Sequence, residues 1–203
     1  FAPVRTNNFI WTLGLNTSKN YNKVTSKLES NKNWTQATTG NVNKEGYAVS
    51  SFWAFEFDGL NPEDGTPRFN LPGVDTPDAK TDATIYMKHM GKLDPDFTSG
   101  LSMGFRFKDL SLSSSFYLSV GGKKFLAPMY AAEMYNDTPN EYNNLPKDLV
   151  KRWRKPGDEN YTNIPSLPQK GEKGITLPNS SEYFAKVYNY ADIRVVNASY
   201  LRC

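Results

Sequence analysis

The sequence has a single cysteine and a single histidine, and this scarcity excludes several kinds of site. Cys203 has no partner for an internal disulfide, so neither a disulfide framework nor a multi-cysteine zinc site is available. A Ser-His-Asp triad would have to use His89, which has no cysteine or carboxylate at ligand spacing, so a packing role is expected for it. No apolar run reaches the about 18 residues of a transmembrane helix. The opening "FAPVRTNNF" lacks the charged-then-apolar pattern of a signal peptide, so a mature or excised piece is expected.

Neither sign of charge predominates in the sequence, whereas aromatic residues are abundant. The formal net charge is +3 and the basic residues are scattered, which gives no nucleic-acid footprint. Hydrophobic residues make up 38% of the 203 residues and aromatic residues 14%, mostly Tyr and Phe. This composition favours β-structure with broad polar surfaces over a helical bundle rich in Leu and Ala.

The clearest pattern lies in residues 96–122, "DFTSGLSMGFRFKDLSLSSSFYLSVGG". Two runs of alternating apolar and small polar residues flank Lys108-Asp109, and this period-two alternation predicts an antiparallel hairpin with unlike faces. Such a hairpin fits either a soluble β-sandwich or a membrane β-barrel with lipid on one side and water on the other. The apolar positions are Leu101, Met103, Phe105, Phe107, Leu110, Leu112, Phe116, Leu118 and Val120.

The spacing of the predicted strands favours the barrel. Strands are predicted near 9–20, 97–107, 110–121 and 192–203, with long excursions over 21–95 and 121–191. Bacterial outer-membrane barrels alternate short turns with long outside loops, whereas a soluble sandwich spreads its loop lengths more evenly. The predicted fold class is therefore all-β, with antiparallel strands of a partial transmembrane β-barrel and long extracellular loops.

Two short elements are predicted within the excursions. "SSFWAFEFDGL" (50–60) alternates, with Phe55 and Phe57 opposite Glu56 and Asp58. In "PKDLVKRWRK" (146–155) the proline suits the first turn of a short helix. The predicted apolar side of that helix is formed by Leu149, Val150 and Trp153.

Four motifs, in this order, resemble the SusC/RagA-type family of TonB-dependent outer-membrane transporters. They are "NNFIWTLGLNTSKNYNKV", "FEFDGLNPEDGTP", "GKLDPDFTSGLSMGFRFKDLSLS" and "NASYLRC". The resemblance implies that residues 1–203 are a C-terminal portion of the barrel, without the plug domain. It also implies a Gram-negative outer membrane, no catalysis, no cofactor and no metal. The expected activity is import of a bulky glycan or peptide with a SusD-like surface lipoprotein, driven by the TonB complex through parts outside this chain.

Aromatic residues of the excursions are the candidate ligand-binding residues. Flat rings stack on sugar faces, although each single ring more often anchors a long loop by packing. The candidates are Trp34, Trp53, Tyr130, Tyr135 and Trp153.

Two other functions remain open from the residues alone. A soluble carbohydrate-binding β-sandwich would use the same alternation and the same aromatic residues, but would seal the apolar face between two sheets. A glycoside hydrolase would need two carboxyl groups facing each other across a cleft. The nearby acids Asp94 and Asp96 are more typical of turns.

Overall fold

The computed structural model describes residues 1–27, 32–131, 144–169 and 174–203, which form mostly short and long antiparallel strands. In chain order the strands are β1 (Val4–Arg5), β2 (Phe9–Lys19), β3 (Ser51–Ala54), β4 (Glu56–Leu60), β5 (Pro67–Asn70), β6 (Lys88–Lys92), β7 (Phe97–Phe107), β8 (Leu110–Val120), β9 (Lys123–Phe125), β10 (Ile175–Leu177), β11 (Ser180–Glu182), β12 (Val195–Asn197) and β13 (Tyr200–Arg202). The α-helices are α1 (Trp34–Thr38) and α2 (Phe184–Tyr188). Short 3₁₀ helices lie at Pro77–Lys80, Ala83–Ile85, Lys147–Lys151, Asp158–Asn160 and Asp192–Arg194.

A five-stranded antiparallel sheet in the order β1-β2-β7-β8-β13 is the largest element. Strands β2, β7 and β8 have 11 residues each and pair along their whole length. The predictions for 9–20, 97–107 and 110–121 are confirmed to within one residue. Within the described residues this sheet stays open, with β1 and β13 as its edges.

The β7–β8 turn shows how the local sequence sets the register. Phe107 pairs with Leu110, so only Lys108 and Asp109 lie between the strands. Lys108 has a φ of 50°, as tight hairpin turns require, and its amide donates to the carbonyl oxygen of Asn8 at 2.8 Å. The same turn is therefore held against the neighbouring β1–β2 connection.

The predicted strand over 192–203 is wrong as a single element. The chain forms a 3₁₀ turn, then β12 paired with β9, and only then β13 paired with β8. Asn197 Oδ1 accepts the amide of Ser199 at 2.7 Å, and Ser199 Oγ accepts the amide of Gly121 at 2.9 Å. This polar turn redirects the chain between β12 and β13.

The described parts of the excursions over 21–95 and 121–191 fold together around two aromatic-rich clusters instead of remaining open loops. None of the cluster residues belongs to the five-stranded sheet. The first cluster consists of Trp34, Ala37, Val42, Trp53, Phe55, Ala79, Ala83, Tyr86, Met87, Leu177 and Val187. The second consists of Met129, Tyr130, Leu149, Phe184, Ala185, Tyr188 and Ala191.

Contacts around Phe55 and Asp192 join the two excursions. The Phe55 amide donates to Tyr190 O at 3.0 Å, and the Asp192 amide donates to Phe55 O at 2.8 Å. The Asp192 carboxylate accepts the Phe57 amide at 3.1 Å and forms an ion pair with Lys88 at 2.9 Å. Lys88 also contacts Glu56 at 3.1 Å, and hydrogen bonds to Asp192 and then Glu56 raise the pKa of Lys88.

The two short elements differ from their predicted patterns. The run from Ser51 to Phe55 is buried on both faces, so it does not alternate between core and solvent. The segment after Pro146 forms a 3₁₀ helix, with Leu149 and Trp153 buried as predicted but Val150 exposed.

Replacing Asn189 by Ala is expected to lower the free energy of unfolding of this folded region by about 2 kcal/mol, because buried backbone groups lose their partners. The buried Asn189 Oδ1 accepts the amides of Met129 at 2.8 Å and Tyr130 at 3.2 Å, and its Nδ2 donates to Tyr130 O at 2.8 Å. Limited proteolysis in urea measures the change. Asn160→Ala, at an exposed asparagine, is the control, and equal effects of the two variants would contradict the prediction.

Candidate functional site

One face of the five-stranded sheet is apolar across its width. The register places on it Val4, Phe9, Trp11, Leu13, Leu15, Leu101, Met103, Phe105, Phe107, Leu110, Leu112, Phe116, Leu118 and Leu201. These side chains are termed the apolar face. Leu15, Leu110 and Leu112 are 69%, 73% and 66% exposed. Among the described residues no second sheet covers this face. A β-sandwich would instead seal its apolar face between two sheets.

Aromatic rings gather on the apolar face at the end that carries the β7–β8 turn. Trp11 stacks on Phe105 with ring centroids 5.9 Å apart, and Phe9 lies 6.5 Å from the same ring. The indole N–H of Trp11 has no hydrogen-bond partner among the described residues. An aromatic cluster at one end of an apolar surface is typical of a boundary between hydrocarbon and water.

The opposite face of the sheet carries small polar residues. The register places on it Ile10, Thr12, Gly14, Asn16, Gly100, Ser102, Gly104, Arg106, Ser111, Ser113, Ser115, Tyr117, Ser119 and Tyr200, of which Ile10 is the apolar exception. Asn16 Oδ1 accepts the Gly100 amide at 2.8 Å, and Thr12 Oγ1 donates to Gly104 O at 3.3 Å. One face of the sheet therefore suits apolar surroundings, and the opposite face suits water.

The four predicted ligand-binding aromatics that the structure describes are buried. Trp53 is 1% exposed, with ring centroids 5.4 Å from Tyr47 and 5.3 Å from His89. Tyr130 is 0% exposed, and its hydroxyl donates to Pro165 O at 2.9 Å. Both rings anchor the folded excursions, and their role in ligand binding stays a prediction.

Trp34 and Trp153 are also buried but each lies at the wall of a cavity, and Tyr135 lies outside the described residues. Trp34 borders a cavity of about 260 Å³ shared with Lys32 and Tyr86, and the Lys186 ammonium lies 4.9 Å from the Trp34 ring centroid. Trp153 borders a more open groove of about 530 Å³.

Two ionisable side chains at the first cluster have structural surroundings: Tyr86 is buried in the cluster, whereas His89 lies exposed at its edge. His89 lies between the rings of Tyr47, at 4.6 Å, and Trp53, and burial followed by the charge of Lys123 lowers the pKa of His89. Burial, with a contribution from Asp82, raises the pKa of Tyr86 to about 12. His89 therefore packs against two aromatic rings, as predicted, while the residue stays exposed.

In the described part of the chain, the acidic residues do not gather into a catalytic pair or a metal site. Asp94 accepts the Ser50 hydroxyl at 2.6 Å, whereas Asp96 pairs with Lys92 at 2.7 Å. Within residues 1–27, 32–131, 144–169 and 174–203 there is no group of three or more His, Cys, Asp or Glu placed to hold a metal ion. None of the helices in these same ranges is long and apolar enough to cross a membrane.

Sequence reasoning missed the basic residues beside Trp153. Arg152 and Arg154 line the same groove as that ring. The signal was visible as the dense run of cations in "KRWRK", but that run was interpreted only as part of a short helix.

Comparisons with known proteins agree with this architecture. No protein-family model matches the chain. It is 28% identical over 216 residues to TonB-dependent receptor P3 of Formosa agariphila, a match that covers 95% of this chain and 19% of that receptor. The solved structure of the RagAB peptide transporter superposes with a TM-score of 0.60 at 21% identity, covering 99% of this chain and 20% of that chain. The RagAB peptide importer in its open-open state gives a TM-score of 0.59 at 20% identity.

These matches confirm the predicted resemblance to SusC/RagA-type proteins. The similarity to the receptor is one of sequence, and the similarity to the transporter structures is one of fold. The chain spans about a fifth of the length of each of these relatives. Both relatives are named as receptors or transporters, which agrees with the expectation of a protein that is not an enzyme.

Proposed function

We propose that this chain is part of the barrel of a SusC/RagA-type, TonB-dependent transporter in the outer membrane of a Gram-negative bacterium. The observation that carries the proposal is the uncovered apolar face, opposite a face of small polar residues on the same strands. The similarity to a TonB-dependent receptor and the RagAB-like fold support it.

The dimensions of the sheet suit a bilayer. Transmembrane strands need about 9–11 residues when tilted, and β2, β7 and β8 each have 11. In hydrocarbon every backbone polar group must be paired, which strands achieve only in a closed sheet. The open edges β1 and β13 therefore require further strands of the same barrel, in the part of the protein beyond this fifth.

The connections support one orientation of the barrel. The β7–β8 turn and the β1–β2 connection lie at the same end of the sheet, where Lys108 contacts Asn8. Both folded excursions leave from the opposite end, where Lys19, Phe97 and Val120 are register neighbours. Outer-membrane barrels have short periplasmic turns and long outside loops, so we place the folded excursions outside the cell.

The proposed transport cycle assigns binding rather than chemistry to this chain. The folded excursions would meet a bulky nutrient and a SusD-like surface lipoprotein, while the TonB complex would act through other parts of the protein. The nutrient is a glycan or a peptide: the RagAB structures are named for peptide transport, and the name of the Formosa receptor gives no substrate. Trp34 and Trp153, at the cavity walls, are the aromatic candidates best placed to contact it, whereas Trp53 and Tyr130 would shape the surrounding loops.

Cysteine labelling of β8 in intact cells tests the membrane assignment. In the full-length protein with Cys203→Ser, Ser113→Cys is expected to react with a water-soluble maleimide, because position 113 faces the wet interior. Phe116→Cys is expected to react only with a lipid-soluble maleimide, because position 116 lies near the middle of β8 and faces hydrocarbon. Equal reaction of both positions with the water-soluble reagent would favour a soluble domain and overturn the proposal.

A further inference from the structure

A dense group of cations lies on the folded excursions, away from the sheet. Five basic residues fall within nine positions, and all are exposed except Arg152, which is half-buried. None of the five forms an ion pair with a described residue, and this holds also for the neighbouring acid Asp148 as a partner. This basic segment consists of Lys147, Lys151, Arg152, Arg154 and Lys155.

Two carboxylates near the basic segment, those of Asp158 and Glu159, accept hydrogen bonds from the backbone and from Trp153 and form no ion pair with the five cations. Asp158 Oδ2 accepts the amides of Arg154 at 3.0 Å and Lys155 at 3.2 Å. Glu159 Oε2 accepts the indole N–H of Trp153 at 3.2 Å and the amide of Gly157 at 2.8 Å. Backbone hydrogen bonds, above all with its own amide, lower the pKa of Glu159, so this carboxylate stays charged while it fixes the loop.

Arg152 and Arg154 both line an open groove of about 530 Å³. Its lining includes Arg152, Trp153, Arg154, Asp64 and Ser166. Arg152 Nη1 donates to Leu149 O at 3.1 Å and Arg154 Nη2 donates to Val150 O at 2.7 Å. Each of these bonds uses one of the five N–H donors of its guanidinium.

Trp153, between the two arginines, is held by a close backbone approach. A Cβ on Gly65 would lie 2.3 Å from the ring, and Gly65 has a φ of 71°, so only glycine fits there without strain. The Trp153 ring, which forms part of the groove wall, is therefore held in place, and this lowers the entropy cost of a contact with that ring.

We propose that this groove binds the carboxylate or sulfate groups of an acidic polysaccharide. Guanidinium groups match these planar or multi-oxygen anions with paired hydrogen bonds. Asp64 and the Ser166 hydroxyl in the same groove suit sugar hydroxyls. The Ser166 amide already donates to Gly65 O at 3.0 Å, which disfavours a peptide bound by strand addition. Arginine clusters also bind acidic peptides, and poly-glutamate tests that occupant.

The proposal rests on the proposed function in one respect only, namely that the groove faces the outside of the cell. Binding is measured with the full-length protein in detergent, by affinity electrophoresis in gels containing polygalacturonate, dextran sulfate, neutral dextran or poly-glutamate. Failure of import in cells would therefore not be confused with failure of binding.

Arg152→Gln combined with Arg154→Gln is expected to weaken binding of polygalacturonate or dextran sulfate about tenfold or more, because charge-assisted hydrogen bonds are lost. The control removes the same charge at two exposed lysines, Lys23→Gln with Lys27→Gln, and is expected to bind as the unmodified protein does. Equal loss in both variants, no binding of either acidic polysaccharide, or equally tight binding of neutral dextran or poly-glutamate would overturn the proposal.

Discussion

Replacing Met103 by Arg is expected to keep the full-length protein from assembling in the outer membrane. Met103 lies at the middle of β7 on the apolar face, paired with Leu13 of β2 and Ser114 of β8. An arginine facing lipid at the midplane of a barrel costs about 2–4 kcal/mol. The measurements are the amount of protein in the outer-membrane fraction and its heat-modifiable migration in gels.

Two control variants show whether the effect depends on the face of the sheet to which the side chain belongs or only on its place along the strand. Ser102→Arg changes the adjacent residue, which faces the polar side of the same strand, and is expected to retain outer-membrane assembly. Met103→Leu keeps the site apolar and is expected to behave as the unmodified protein does. Normal assembly of Met103→Arg would show that this face does not contact lipid, and the transporter assignment would lose its main physical support.

The sheet was predictable because its two faces require different residue types. In β7 and β8 a one-residue slip would move every apolar side chain to the polar face, so the alternation fixes both the strands and their register. The two-residue turn at Lys108-Asp109 followed from the same pattern, although its φ of 50° had no Asn-Gly or Asp-Gly signal.

The folded excursions were not predictable because their pairing partners are distant in sequence. The Asp192 carboxylate that accepts the Phe57 amide is 135 residues away from it in the sequence. β9 pairs with β12, and no local sequence pattern indicates that pairing either. The run from Ser51 to Phe55 loses its alternation because both of its faces are buried, so periodicity could not identify its environment. The same long-range pairing broke the strand predicted over 192–203.

Composition cannot separate an aromatic ring in a core from one at a surface. Tyr130 and Tyr161 both lie in the second excursion, yet Tyr130 is 0% and Tyr161 91% exposed. The candidate ligand-binding residues were chosen as rings within loops, and the choice selected mainly core residues. The groove between Arg152 and Arg154 was visible as charge, but its shape depends on Gly65 and on residues 166–169, which only the fold brings together.

Trp53→Ala is expected to produce the largest loss of stability in the folded excursions, about 3–5 kcal/mol, since it removes a fully buried ring from a packed cluster. Trp53 is 1% exposed and contacts Tyr47 and His89. The excursions are expected to become sensitive to protease added outside intact cells. Heat-modifiable migration of the barrel is expected to persist, because neither aromatic-rich cluster contains a residue of the five-stranded sheet.

Tyr161→Ala is the matched control, since it removes an exposed aromatic ring from the same region, and a surface change of this kind is expected to alter stability by less than about 0.5 kcal/mol. The pair of variants also separates the two roles considered for Trp53. If Trp53→Ala abolishes nutrient binding while the excursions stay as protease-resistant as in the control, the ring contacts the ligand and its packing role is minor. If protease resistance is lost along with binding, the ring acts by holding the excursions in place, as its burial between Tyr47 and His89 requires.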